Sequence, residues 1–229
     1  ARWALTPQNA DEAEAAWRWA RAQDIPMLML GAGSNVLISD AGFPGIVLFT
    51  TGLNRMESLG GDRYHVEGGV QLDRLVREVM LPNNYEGVGA LTGIPGTVGG
   101  AIFMNAGTAN GNICALLESV DMARADGRVR IAMEESFYAY RSQHFCAPGD
   151  LILGGVFRFR RAEADQRAVY DHYIQRRLET QPQGYCCGSV FKNPPGAHAG
   201  RLIEACGLKG TRLGGAVISG PHPAITGLE

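Results

Sequence analysis

The sequence predicts an α+β protein, and three observations carry that prediction. The first ~50 residues read as a helix followed by short strands, a small β-α-β unit. A middle block of short strands is interrupted by a glycine-rich segment. An alanine- and arginine-rich helix then leads into a last block with a helix and a glycine-rich end.

The segment from Ala10 to Gln23 is expected to be a helix, because Ala13, Ala16, Trp17 and Ala20 recur at helical spacing and Asn9 or Asp11 can cap it. Met27 to Leu30 is a short apolar run ended by Gly31, which reads as a buried strand. Val36–Ile38 and Ile46–Phe49 read as further strands, which completes a small β-α-β unit. Further on, Tyr64 to Gly69 reads as a strand running into a turn. Leu72 to Leu81 carries an apolar stripe at 72, 75, 76 and 79 and is expected to be helical until Asn83-Asn84 and Gly87 break it. The stretch from Gly93 to Gly107 reads as a long glycine-rich loop. Strands are expected at Glu118–Ala123, Arg128–Ala132 and Leu151–Arg160, a helix over Arg161 to Thr180, and another around Gly200–Cys206.

Composition narrows the function classes. With 229 residues and 45% hydrophobic content the chain can bury a core. A formal net charge of -2, with charges scattered, gives no electrostatic footprint for nucleic acid. No apolar run reaches the ~20 residues of a membrane helix, so no membrane partner is expected. No signal peptide is visible. The chain begins at Ala1 without Met, which predicts a trimmed N-terminus. The five cysteines (Cys114, Cys146, Cys186, Cys187, Cys206) include no Cys-x-x-Cys and are expected to be free thiols in a reducing cytosol. The five histidines form no ligand pattern, so no metal is predicted.

Two glycine-rich segments carry most of the chemistry. Gly31-Ala32-Gly33-Ser34-Asn35 follows a buried strand. Its glycines permit a tight turn, its backbone N–H groups can cradle an anion such as pyrophosphate, and Ser34 and Asn35 add donors. An ordinary β-turn fits the same residues. The run is not the Rossmann fingerprint, because the third glycine is absent. Gly93-Ile94-Pro95-Gly96-Thr97-Val98-Gly99-Gly100-Ala101, with Met104-Asn105-Ala106-Gly107 behind it, is glycine-rich yet flanked by apolar side chains. Such a segment is expected to lie buried against something flat, either a cofactor or packed protein. Arg141, after Tyr140, suits a carboxylate because its fork donates two parallel hydrogen bonds, although a lone Arg is usually solvated. Gly188 to Pro194 places Ser189, Lys192 and Asn193 close together. It lacks a nucleophile elbow, and Ser189 could instead give a proton to an enolate.

In this order, Leu30–Leu37, Gly93–Ala101, Met104–Gly107, Tyr140-Arg141 and Gly188–Pro194, extended by Ala199–Glu204 and Gly207–Gly210, resemble the UDP-N-acetylenolpyruvoylglucosamine reductase family (UDP-N-acetylmuramate dehydrogenases) from about Ala1 to about His222. The resemblance implies an FAD-binding fold of the vanillyl-alcohol-oxidase/PCMH type, made of two α+β subdomains (1–50 and 51–160). A smaller C-terminal α+β substrate-binding domain (161–229) is expected to be incomplete. It implies FAD as cofactor and NADPH as co-substrate. Hydride reaches C3 of UDP-N-acetylglucosamine enolpyruvate and a proton reaches C2, a step of peptidoglycan precursor synthesis in the cytoplasm, carried out by a monomer.

By the same resemblance Ser189 donates the proton, and Arg141 holds the carboxylate and stabilises the enolate. Tyr140, Lys192 and Asn193 touch the substrate. Gly31, Ala32, Gly33, Ser34, Asn35, Gly93, Ile94, Gly96, Thr97, Gly99, Gly100 and Asn105 bind FAD. No inserted loop is evident between Arg141 and Ser189, which implies the compact subtype lacking the substrate-covering tyrosine loop. The family has a short segment ahead of Ala1 and a catalytic glutamate near its C-terminus. This chain departs from the pattern after His222, Glu229 is not assigned to that role, and truncation or omitted residues are expected. Two rival readings are an oxidase of the same flavoenzyme superfamily and a non-catalytic nucleotide-binding fragment. The serine motif argues against the oxidase, which needs a base rather than a proton donor.

Overall fold

Asn9 starts the first helix by accepting the Glu12 N–H on its side chain at 2.9 Å, while Glu12 accepts the Gln8 N–H at 2.8 Å. This reciprocal arrangement satisfies two donors at the helix start. Helix α1 (Ala10–Ala22) buries Ala13, Trp17 and Ala20. It connects strand β1 (Trp3–Leu5) to β2 (Met27–Leu30), and β3 (Ile46–Phe49) lies between those two strands, parallel to both. The computed structural model describes residues 1–181, Cys186, residues 188–220 and the backbone of Ile225–Thr226. Cys187, His222 and Glu229 lie outside the described residues.

The second sheet begins with a hairpin. Strands β4 (Met56–Gly60) and β5 (Arg63–Glu67) are joined through Gly61 and Asp62, both at positive φ, the backbone twist that two-residue hairpins favour. Helix α2 (Leu72–Leu75) continues as a π-helical turn over Val76–Met80, and α3 (Val88–Leu91) and α4 (Val98–Phe103) follow. Two short strands, β6 (Gly107–Thr108) and β7 (Gly111–Asn112), pair with each other. Strands β8 (Leu117–Arg124) and β9 (Gly127–Ala132) form a hairpin, and β10 (Tyr138–Ala139) pairs with β11 (Ser142–Gln143). Strand β12 (Leu151–Arg158) inserts between β5 and β8, giving an antiparallel sheet of order β4-β5-β12-β8-β9. All of β12 but Arg158 is buried, as its unbroken apolar run requires.

Two apolar clusters hold this part of the chain together. The larger joins Leu72, Leu75, Val98 and Ile102 to Val66, Val120, Met122 and Phe157 of the sheet. The smaller packs Ala13 and Trp17 of α1 with Leu48, Leu151 and Leu153, and the Trp17 indole N–H donates to the Gly149 carbonyl at 2.8 Å. Helix α5 (Gln166–Thr180) follows, and the chain divides into compact units at Ala1–Tyr170 and Asp171–Glu229. Within the second unit are α6 (Ala199–Ala205) and strands β13 (Arg212–Leu213), β14 (Ala216–Ile218) and β15 (Ile225–Thr226), which form an antiparallel sheet in that order. No helix among the described residues is long and apolar enough to cross a membrane.

Several local expectations are corrected. Val36–Ile38 forms no strand. Leu37 is 84% exposed, and an apolar run by itself does not ensure a pairing partner. The Gly93–Gly107 segment is not all loop, because it contains α4. Thr97 caps that helix, and Val98, Ala101 and Ile102 bury one face despite two helix-weakening glycines. Residues 161–165 precede α5 instead of belonging to it. The Ala162 N–H donates to the Asn84 carbonyl, and the Asn84 side chain accepts the N–H of Gln166, where the helix starts. Strands β1 and β4 were not anticipated.

The outward side of the sheet carries ion pairs. Glu118 bonds Arg63 and Arg158, and Asp121 meets His65 Nε2 at 3.0 Å and Arg130 Nε at 2.6 Å. Partial burial alone would raise the Asp121 carboxyl, but hydrogen bonds from His65 and Arg130 outweigh it and hold the group at about 2. Because this lies below the unfolded value of about 4, the stabilisation is complete above pH ~4 and is lost as pH falls towards 2. In urea unfolding, Asp121→Asn is expected to cost roughly 2 kcal/mol at pH 7, with the difference shrinking between pH ~4 and ~2. A difference that does not vary with pH in that window would remove Asp121 as its source.

Candidate active site

The two glycine-rich segments, distant in sequence, meet in the first unit. Gly31 leaves β2 directly against Thr97, the residue that caps α4. A Cβ on Gly31 would stand 2.3 Å from Thr97 Oγ1, so no side chain fits there. The Ser34 hydroxyl donates to the Pro95 carbonyl at 3.1 Å, and Gly96, at φ +121°, leaves room for Ser34 where a Cβ would come within 2.8 Å of its Oγ. Further contacts set the floor. The Leu72 N–H donates to Gly96 O, the Val98 N–H to Val70 O, and the Gly99 N–H to Gly68 O at 2.7 Å. Thr97 Oγ1 accepts the Gly100 N–H at 3.4 Å.

These bonds divide the candidate residues by role. The N–H groups of Val98, Gly99 and Gly100 are engaged within the protein. Among the described residues, none accepts a hydrogen bond from the backbone N–H of Gly33, Ser34 or Asn35, and the space in front of Gly33 is open for at least 4 Å. Ala32, Ser34 and Asn35 are exposed, and Gly31, Gly33, Gly93 and Ile94 partly so. A rigid turn with uncommitted amides and open space in front of it fits a pyrophosphate, so these residues suit a dinucleotide cofactor. Sequence reasoning missed Gly68 and Thr50, which complete the cradle: Gly68 accepts from Gly99, and Thr50 Oγ1 donates to Leu30 O at 3.5 Å beneath the turn. The Gly68-Gly69 pair after β5 was the available signal.

Tyr140 and Arg141 form the two-residue turn between β10 and β11, with Arg141 at φ +54° and Tyr140 58% exposed. Arg141 Nη2 donates to the Gly107 carbonyl at 2.9 Å, and the guanidinium stands 5.5 Å from the Tyr140 ring centroid. One donor is thereby used, and the rest of the fork can meet an anion. The buried Asn105 side chain donates to the Ala139 carbonyl and accepts the Cys114 N–H.

Ser189, Lys192 and Asn193 belong to the second unit. Ser189 and Lys192 are exposed, and Gly188, at φ +67°, donates its N–H to Cys186 Sγ at 3.1 Å. Asn193 Oδ1 accepts the Ala199 N–H at 3.0 Å and so fixes the start of α6. Burial pushes the Cys114 thiol up to about 12 and the Cys146 thiol to about 11, which leaves both protonated and unreactive. Among the described residues no cluster of His, Cys, Asp and Glu could hold a metal ion. A concavity of about 640 Å³ lined by Arg77, Leu81, Pro82, Arg167 and Tyr170 contains none of the motif residues.

The parallel and antiparallel sheets with this cradle define a flavin-binding protein, and residues 1–132 match the FAD binding domain family. Residues 181–226 match the C-terminal domain of UDP-N-acetylenolpyruvoylglucosamine reductase. The reductase of that name from Shouchella clausii is 38% identical over 223 residues, covering 95% of this chain and 70% of the relative. That from Myxococcus xanthus is 38% identical over 224 residues, covering 95% and 72%. The crystal structure of UDP-N-acetylenolpyruvylglucosamine reductase from Thermus caldophilus superposes with a TM-score of 0.80 at 33% identity, covering 99% of this chain and 80% of the other. The chain belongs to the UDP-N-acetylenolpyruvoylglucosamine reductase family.

The Gly31–Thr97 contact makes a direct prediction. Gly31→Ala is expected to destabilise the protein by about 1–3 kcal/mol, the usual range for overpacking. Thr97→Ala in that background should recover part of the loss by removing Oγ1. Equal denaturation midpoints for Gly31→Ala and the wild type would show that the two segments can separate freely.

Proposed function

We propose that this chain reduces UDP-N-acetylglucosamine enolpyruvate to UDP-N-acetylmuramate with NADPH, a step in peptidoglycan precursor synthesis. The observation that carries the reading is the meeting of Gly31–Asn35 with Gly93–Gly100 in one rigid, open cradle. In this reading Gly31, Ala32, Gly33, Ser34, Asn35, Gly93, Ile94, Gly96, Thr97, Gly99 and Gly100 hold FAD, some by donating amides and others by shaping the wall. FAD held there would supply the hydride chemistry linking NADPH to C3 of the enolpyruvyl group. The segments 1–50 and 51–160 form the cofactor-binding part and 161–229 the substrate-binding part. The enzyme acts as a cytoplasmic monomer.

The chain's own residues handle charge and proton. Hydride arrival at C3 drives charge onto the carboxylate conjugated with it, so a cation held at that carboxylate lowers the barrier. Arg141 supplies that cation. Its anchorage on Gly107 fixes one edge of the guanidinium, and the remaining N–H groups are directed to the substrate. Tyr140, beside it, and Lys192 and Asn193 of the second unit contact the substrate. Ser189 delivers the proton to C2 and passes through a transient alkoxide, which requires donors near its Oγ when substrate is bound.

The purified protein is expected to show flavin absorbance that bleaches with NADPH under anaerobic conditions and returns when UDP-N-acetylglucosamine enolpyruvate is added. Bleaching without return would refute the substrate assignment, and no flavin band after addition of FAD would refute the cofactor. Ser189→Ala should leave bleaching by NADPH intact and slow its return by a factor on the order of 10²–10⁴. Near-normal return would end the proton-donor role. Arg141→Ala should weaken the second half-reaction without loss of flavin. Loss of the flavin band in that variant would make Arg141 a cofactor residue instead.

A further inference from the structure

Asn105 stands between the glycine-rich segment and the hairpin that carries Arg141, and its side chain is turned towards the hairpin. It is 3% exposed, with backbone φ +41°. Its Nδ2 donates to the Ala139 carbonyl at 2.8 Å, and its Oδ1 accepts the Cys114 N–H at 3.4 Å. Ala139 pairs with Ser142 across the turn formed by Tyr140 and Arg141. Two residues after Asn105, the Gly107 carbonyl accepts from Arg141 Nη2 at 2.9 Å. The same short segment therefore grips the hairpin twice, once by the backbone at its base and once by the guanidinium at its tip.

The residue type follows from these demands. The left-handed backbone region excludes most side chains but tolerates Asn. A buried position that must satisfy a carbonyl on one side and an N–H on the other needs a side chain with both a donor and an acceptor, which the amide provides. Asp would offer no donor to Ala139 at neutral pH, and Gly would offer neither group.

We infer that Asn105 is a positioning residue for Arg141. It fixes the β10–β11 hairpin against the glycine-rich segment, so that the guanidinium keeps one donor on Gly107 and presents the others to the substrate carboxylate. The inference rests on the proposed role of Arg141 as the carboxylate's partner. A direct contact between Asn105 and the cofactor is the competing role, and the two differ in where a loss appears.

The test compares wild type, Asn105→Asp and Asn105→Gly in the full chain. Asn105→Gly keeps the positive φ and serves if the buried carboxylate of Asn105→Asp prevents folding. Hydrogen exchange of the amides in residues 138–143, which needs no turnover, should quicken about five- to tenfold on loss of the bond to Ala139. FAD affinity, read from flavin fluorescence, should stay within about threefold of wild type. Reoxidation of the reduced flavin by UDP-N-acetylglucosamine enolpyruvate should slow by roughly 10–100-fold, the scale of a misplaced catalytic group. Combined with Arg141→Ala, the Asn105 substitution should add nothing further. Unchanged exchange in 138–143 together with a tenfold loss of FAD affinity would overturn the inference and make Asn105 a cofactor residue. Full additivity with Arg141→Ala would also overturn it. If wild-type reduced flavin fails to reoxidise with the substrate, the functional reading falls, while exchange at the hairpin still decides what Asn105 holds.

Discussion

The contact between Gly31 and Thr97 couples the two sheets of the first unit. Gly31 ends a strand of the parallel sheet, and Thr97 starts the helix that packs on the antiparallel one. With no room for even a methyl group between them, repulsion fixes the spacing from one side, and the Ser34–Pro95 hydrogen bond fixes it from the other. The cradle is thus a property of sheet packing and not of two loops that happen to meet. Conformational entropy that glycine-rich segments ordinarily retain is removed here before any ligand arrives, which is the condition for strong electrostatic recognition by backbone amides.

A second division of labour separates charge from core. On the outward side of the antiparallel sheet Glu118 and Asp121 are paired with arginines and His65, and Arg128 reaches Asp11 and Glu14 of α1. The titratable groups among the core residues, such as the Cys114 thiol, are held neutral by burial. Arg141 is different. It is only partly buried, its backbone sits in a region that most residues avoid, and its side chain is held by a carbonyl and not by a carboxylate. A carbonyl orients a guanidinium without neutralising it, so the positive charge remains available to an incoming anion.

Much of this was legible in the sequence. Helix α1, the strands beginning at Met27, Ile46, Gly127 and Leu151, and the helix at Ala199 follow from periodicity, capping residues and apolar runs. Family membership was legible from the ordered motifs. Other features were hidden for physical reasons. Helix α4 is obscured because glycines depress local propensity while tertiary packing supplies the stability. The exposed Val36–Ile38 run shows the reverse, since apolarity alone cannot create a partner strand. Gly68 and Thr50 escape notice because they act on the cradle from beneath, across long sequence separations. Asn105 looks like part of a ligand loop, and only the distance to Ala139 reveals what its amide grips.

The placement of β12 sets the order in which this fold can be completed. It is the central strand of the antiparallel sheet, yet it comes last of the five in the chain. During synthesis the β4–β5 and β8–β9 hairpins emerge earlier, each with an unpaired inner edge that waits for the same strand. Until residues 151–158 leave the ribosome, the two half-sheets cannot join, and Val66, Val120 and Met122 remain without the strand that buries them. Such open edges bind one another or a chaperone readily. The nascent chain is therefore open to misassociation until β12 emerges, and closure of the sheet by β12 is the step that ends that vulnerability.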